Sequence, residues 1–208
     1  MTLSVGPRGV RLTVPPRAAE RRIDAFLTAS APWVQEQRER LVAVPQALAH
    51  GDRLAYAGTD LRLEVVAGPA RVRRDGDVLR AGHADLDAHV ERWYRREALA
   101  LLSARSHALA QALGGTVTRV GVRDPRSRWG SCTSQGRLSY SWRLLLAPGD
   151  VLDYVVAHEV CHLFHPDHSP AFWRMVGEVH PAHRAARDWL RVSGHLLHRG
   201  PAWRAGTD

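Results

Sequence analysis

The feature that most constrains this chain is five residues long. His158-Glu159-Val160-Cys161-His162 sets two histidines four positions apart within the stretch VLDYVVAHEVCHLFHPDHSPAF, residues 151–172. At about 100° per residue on a helix, positions four apart differ by only about 40°. Both imidazoles then lie on one face, one turn apart, and both can reach one metal ion. Glu159 lies about 80° from the centre of that face. Its carboxylate flanks the ion and is placed to take a proton from water bound there. This is the residue pattern of zinc-dependent hydrolysis.

The flanking residues strengthen the reading. Leu152, Val155, Val156, Ala157, Val160, Leu163 and Phe164 occupy nearly all sides of the predicted helix. A helix apolar all round is a buried one. Two histidines and a glutamate inside it need partners, because unpaired polar groups are costly to bury, and a metal ion supplies one to each. Three residues compete to be the third ligand. His165 shares the face of His158, but it precedes Pro166, and the residue before a proline is pushed out of the helical region. Glu178 would reach in from a second helix. His168 is the expected ligand: Pro166 ends the first helix, Ser169 reads as an N-cap with Pro170 at the first helical position, and His168 sits in the turn between.

Composition sets broad limits. At 208 residues the chain can hold one large domain or two small ones, and an apolar fraction of 45% is that of a soluble globular protein. The N-terminus lacks the apolar core of a signal peptide. No apolar run approaches the roughly 18 residues of a membrane helix, so no membrane partner is expected. Cys132 and Cys161 are too few for a disulfide framework. A cytoplasmic location is the expectation. The net charge is +8, and every basic residue is an arginine. The arginines form no dense run, and no helix-turn-helix or zinc-finger spacing is present. Nucleic acid is therefore a secondary partner class, behind a peptide or protein substrate.

Along the chain, Val10, Leu12 and Val14 alternate with other residues and predict a strand closed by Pro15-Pro16. A helix is predicted over 17–28. A second is capped by Ser30, with Pro32 early in it and Trp33, Val34 and Leu41 buried. The pattern over 51–79 is β, with Asp75-Gly76 as a hairpin signal. A long helix follows over 84–113 and stops at Gly114-Gly115. Its histidines, with His83 just before it, are expected to face solvent or pack. Strands are predicted over 116–122, 127–132 and 137–145, the last with Leu138, Tyr140, Trp142 and Leu144 on one face. Helices follow at 170–179 and 182–193, and 194–208 reads as a tail. His180 or His183 could reach the site, but exposure to solvent is the expectation for both. This gives an N-terminal β-rich region with short helices (1–82), a catalytic region (83–193) and a C-terminal tail (194–208).

The segment RSRWGSC, residues 126–132, followed by PGDVLDYVVAHEVCHLFHPDHSPAFW, residues 148–173, resembles the YgjP-like metallopeptidase family. That family is related to the SprT and Wss1-like (WLM) zinc proteases. The resemblance implies an α+β, zincin-like core, a short antiparallel sheet backed by the buried HExxH helix. It also implies Zn2+ as cofactor, His158, His162 and His168 as its ligands, and Glu159 as the catalytic glutamate. Within WGSC, Gly130 suggests a bulge or a close backbone approach. Cys132 reads as a buried apolar cysteine, and Cys161 as packing.

The expectation is thus a zinc metallopeptidase that hydrolyses peptide bonds through a zinc-bound water activated by Glu159. Two rivals stand beside it. One is a zinc-dependent nucleotide phosphohydrolase of the pyrophosphatase type, in which arginines would hold phosphates. The other is a non-catalytic, zinc-stabilised binding module, against which the intact Glu159 argues.

Overall fold

Short alternating segments become strands, and longer apolar periodicities become helices. The computed structural model describes residues 1–6, 9–16, 18–42, 47–68 and 71–199. The chain falls into two compact units, Met1–Gln46 and Ala47–Asp208.

The first unit holds strands β1 (Thr2–Gly6) and β2 (Gly9–Thr13), paired antiparallel with Leu3 opposite Leu12 and Val5 opposite Val10. Helix α1 (Glu20–Val42) follows. β2 is the strand expected near Val14. β1 shows the same alternation, through Leu3 and Val5, and escaped the sequence reading. α1 corrects the two-helix expectation: Pro32 lies inside one continuous helix. A proline removes one helical hydrogen bond, and here the helix runs through it. Trp33, expected to be buried, is 42% exposed. The side chain of Leu41 lies outside the described residues.

The second unit carries two sheets. β3 (Arg53–Tyr56), β4 (Thr59–Val66), β5 (Arg73–Asp75) and β6 (Val78–Gly82) form one, in the order β3-β4-β6-β5. The Asp75-Gly76 signal is realised as the turn between β5 and β6, where Asp75 pairs with Val78 and Gly76 has φ +60°. This sheet packs into the same core as the long helix α2 (Leu86–Ala112), through Leu54, Leu63 and Leu79 against Val90, Trp93 and Tyr94. The chain therefore divides near residue 46, whereas the sequence reading places the boundary at 82/83. Leu113 is the C-cap of α2, and Gly114 follows with φ +77°.

The second sheet has β7 (Arg119–Arg123), β8 (Gly130–Cys132) and β9 (Arg137–Ser141) in the order β7-β9-β8. An all-antiparallel sheet was expected. β8 and β9 are antiparallel, but β7 runs parallel to β9. Parallel neighbours need a crossover of a dozen or more residues, and the segment 124–136 supplies it, leaving β8 on the outer edge. β9 is also shorter than predicted. The Ser141 hydroxyl accepts a hydrogen bond from Arg143 N and turns the chain into a 3-10 helix, Trp142–Leu146. Trp142 and Leu144 through Leu146 are buried there rather than alternating across a strand.

Helix α3 (Gly149–Cys161) comes next and ends before the expected stop at Pro166; α4 (Pro170–Val179) and α5 (His183–Ser193) follow, close to their predicted limits. The expected tail begins with structure: Gly194–Arg199 is a 3-10 helix that buries Leu197 completely. Residues 200–208 lie outside the described residues. The architecture is α+β, with a short sheet beside the buried HExxH helix. No helix among the described residues is long and apolar enough to cross a membrane.

Candidate metal centre

α3 starts after Pro148, with Asp150 in its first turn, where a carboxylate complements the helix dipole. Leu152, Val155, Val156, Ala157 and Val160 are buried, as the apolar pattern predicts, whereas Leu163 and Phe164 lie past the end of the helix and are half-buried. Asp153 forms an ion pair with Arg105 and ties α3 to α2. The last turn of α3 then delivers His158, Glu159 and, just beyond it, His162.

The connection to α4 brings in the third histidine. His165 N still donates to Cys161 O, at 3.0 Å, but the chain turns at Pro166. Ser169 caps α4: its hydroxyl accepts from Phe172 N at 3.4 Å, with Pro170 opening the helix. Asp167 Oδ1 accepts from Ser169 N at 3.1 Å and tightens the turn. His168, held between them, faces back toward α3. His158, His162 and His168 each offer a ring nitrogen, and these atoms lie within 4.8 Å of one another. His158 Nε2 and His168 Nε2 are 3.2 Å apart. Neither alternative joins the group: Glu178 is exposed on α4, and His165 contributes its carbonyl instead, accepting from His162 Nδ1 at 2.9 Å. A proton held on Nδ1 by that bond leaves the Nε2 lone pair free.

Aromatic packing fixes the rings. Phe172 is fully buried and stacks on His162 at 4.4 Å, with His158 and His168 each 4.9 Å from it. Trp173 lies 5.8 Å from both His158 and His168. Sequence reasoning used Phe172 and Trp173 only as marks of resemblance. Their spacing after the Ser169 cap carried the structural message as well: three and four residues on is one helical turn, facing back over the loop.

The protonation states suit a metal. Burial pushes the His158 imidazole down to about 3, and the neighbouring His162, His168 and Arg187 charges add to this. Burial also lowers His162, against the opposing pull of the His165 carbonyl. Neutral imidazoles are the form that ligates. His158 Nδ1 is buried without a hydrogen-bond partner. Such a polar atom is costly to bury unless the ring makes a strong bond elsewhere, and the convergence of its Nε2 on the other rings is where a cation would provide one. The residues present therefore fit a metal ion.

Glu159 is 5% exposed. Burial raises its carboxyl to about 8, partly countered by the Arg128 guanidinium. The close backbone approach expected at Gly130 is directed at this residue. A Cβ added to Gly130 would lie 2.4 Å from Glu159 Oε1 and 2.6 Å from Cγ, so only glycine leaves the carboxylate its place. Cys132, two residues along β8, is half-buried and donates to Thr133 O. Burial, with the Glu159 carboxylate nearby, raises its thiol to about 11. Cys161 is fully buried and packs, as expected.

A cavity of about 350 Å³ opens beside His158 and Glu159, lined also by Arg128, Tyr154, Arg187 and Arg191. His180 and His183, expected at the surface, are half-buried around this region: His180 sits 6.1 Å from Tyr154, and His183 stacks on Trp173 at 6.2 Å. Of the distant histidines, His83 and His107 are exposed and His89 is half-buried, which agrees with the expectation that they face solvent or pack.

Comparison with known proteins finds a family and a similar solved structure. The sequence profile described as YgjP-like, metallopeptidase domain, matches residues 1–193. A solved structure, the metallopeptidase zymogen of Pyrococcus abyssi abylysin, aligns at 23% identity over 46% of this chain and 94% of that one, with a TM-score of 0.39. No curated protein matches the chain.

Proposed function

Because this chain belongs to the YgjP-like metallopeptidase family, we propose that it is a zinc-dependent peptidase, with His158, His162 and His168 as the zinc ligands and Glu159 as general base. The observation that carries the reading is the convergence of three imidazoles on one point, next to a carboxylate seated against Gly130. Zinc suits the donor set. Zinc would be held by the three imidazoles, a donor type it accepts readily. The Nε2 atoms of His158 and His168 are 3.2 Å apart. Three protein ligands also leave a fourth position open, the mark of a catalytic rather than a structural site.

When bound, zinc supplies a Lewis acid that acidifies water and polarises the scissile carbonyl. The chain's own residues do the rest. Glu159 takes the proton of the attacking water as its oxygen bonds to the carbonyl carbon. The same carboxyl then gives that proton to the leaving nitrogen as the carbon–nitrogen bond breaks. Gly130 holds the carboxylate in place for both transfers, and its strand offers a way to hold the substrate. Among the described residues β8 pairs only with β9, so its outer edge can accept an extended peptide by strand addition. A purely structural zinc site has no use for a buried base, which weighs against a non-catalytic module.

The test is reconstitution. Metal-stripped protein should be inactive on an unfolded protein substrate. One equivalent of zinc should restore cleavage, and a chelator should abolish it again. Zinc-loaded protein that leaves peptides intact but hydrolyses nucleoside triphosphates would replace this reading with the phosphohydrolase one.

A further inference from the structure

The cavity beside Glu159 carries a charge pattern that general-base chemistry does not require. Arg128, Arg187 and Arg191 line it, and the carboxylate lining it with them is Glu159. Arg191 shares its charge with Asp188 at 3.4 Å, an exposed pair. Among the described residues, Arg128 and Arg187 have no ion pair at all. Arg187 is nevertheless anchored. Its guanidinium lies over the Trp173 ring at 5.0 Å, and Trp173 is 5.8 Å from both His158 and His168. A guanidinium stacked on an aromatic face keeps its hydrogen-bonding edge free. With three arginines, all open to solvent, and one carboxyl in its lining, the cleft is charged to attract an anion. The other walls, Trp129, Val155 and Leu190, are apolar and suit the methylene stem of a side chain.

We infer that this cleft is a subsite for a substrate carboxylate, gripped by Arg187 with Arg128 beside it. The inference rests on the peptidase reading above and adds its specificity: the preferred peptides carry a carboxylate close to the scissile bond. That carboxylate comes either from an Asp or Glu side chain or from the chain end. Planar, two-pronged pairing with a carboxylate is the contact a guanidinium makes best.

The test uses zinc-loaded full-length enzyme and a set of fluorogenic peptides in two arms. In the first, both ends are blocked and positions flanking the cleaved bond carry Glu, Gln or Lys. In the second, the residues are neutral and the C-terminus is free or amidated. A charged hydrogen bond is worth roughly 10- to 100-fold in kcat/KM. The Glu peptides, or the free-ended ones, should exceed their neutral counterparts by about that ratio, and the arm that shows it identifies the source. Arg187→Glu should bring the ratio to one or below, with gain on Lys peptides, while Arg187→Lys should retain part of it. A second readout does not depend on turnover: zinc-loaded Glu159→Gln should bind a labelled acidic peptide more tightly than its neutral counterpart, and added Arg187→Glu should remove the difference. Cleavage with no charge preference, or a preference unmoved by Arg187→Glu, overturns the carboxylate subsite and leaves the peptidase reading intact. Failure to cleave any peptide, with the acidic peptide still bound through Arg187, overturns the peptidase reading and leaves the subsite standing. Hydrolysis of nucleoside triphosphates alone overturns both.

Discussion

Two groups of charged residues in the second unit make an informative pair. Asp124 is held between two arginines of the fold. Arg143 donates to both its carboxylate oxygens, at 2.6 and 2.9 Å, and Arg95 approaches at 3.6 Å. Arg143 also donates to Leu197 O at 3.1 Å, tying the C-terminal 3-10 helix to the core. Around His158 and Glu159 the opposite holds. A ring nitrogen is buried without a partner, a carboxyl is buried beside it, and three arginines share their cleft with that one carboxyl. The first group is complete within the fold and serves the fold. The second is incomplete within the fold, and what it lacks is a cation and an anionic substrate. Strained or unsatisfied polar groups persist where function needs them.

Mutations should separate the two groups, and the largest effect belongs at the metal centre. His158→Ala or His162→Ala should lose bound zinc and activity together. The melting temperature should fall toward that of metal-free wild type, since a metal that binds only the native state stabilises it. Elemental analysis and thermal melts check this. Full metal occupancy in either variant would erase the distinction drawn here. Gly130→Ala comes next. The added methyl must displace the Glu159 carboxylate, and a misplacement of about 1 Å can cost roughly 10²-fold in rate. Zinc content should stay normal while kcat falls. Unchanged kcat would remove Gly130 from the site.

Asp124→Asn should act on stability alone, by about 1 kcal/mol, with kcat/KM unchanged. Its pH dependence has a definite sign. Hydrogen bonding to Arg143 holds the Asp124 carboxyl below its ordinary 3.8. The ion pair's contribution is therefore complete above pH 3.8 and is lost as pH falls through the lower folded value. Wild type should lose more stability than Asp124→Asn over that acid range. Urea midpoints at a series of pH values measure it. The smallest effect should come from His165→Ala. The carbonyl that orients His162 belongs to the backbone, so zinc affinity should change little. A strong loss there would make His165 the third ligand in place of His168.

Much of the site was legible because it is local. The spacing of His158, Glu159 and His162 dictates their shared face, and the Pro166–Pro170 segment dictates the turn that carries His168. α3, α4 and the Asp75-Gly76 hairpin follow from periodicity and turn chemistry in the same way. What escaped depends on contacts distant in sequence. Gly130 can be read as a close approach, but its partner, 29 residues away on another element, cannot. The parallel pairing of β7 with β9 is set by how the 124–136 crossover packs, and alternation looks the same in either direction. The run from Trp142 to Leu146 alternates well enough for a strand, yet one Ser141 hydroxyl and a fully buried setting make it a 3-10 helix. In α1, Trp33 marked an apolar position that the fold leaves 42% exposed. The arginines of the cleft come from two separate segments, so the sequence shows only a general positive charge.

The central claim is that Glu159 is a base held for catalysis rather than a buried residue that stabilises the fold. Glu159→Gln tests it most directly, because it keeps size and hydrogen-bonding capacity while removing basicity. Zinc-loaded Glu159→Gln should carry wild-type metal and melt at or above the wild-type temperature. Its peptide hydrolysis should fall by at least ~10²–10⁴. Wild-type turnover in a fully zinc-loaded Glu159→Gln would contradict the account.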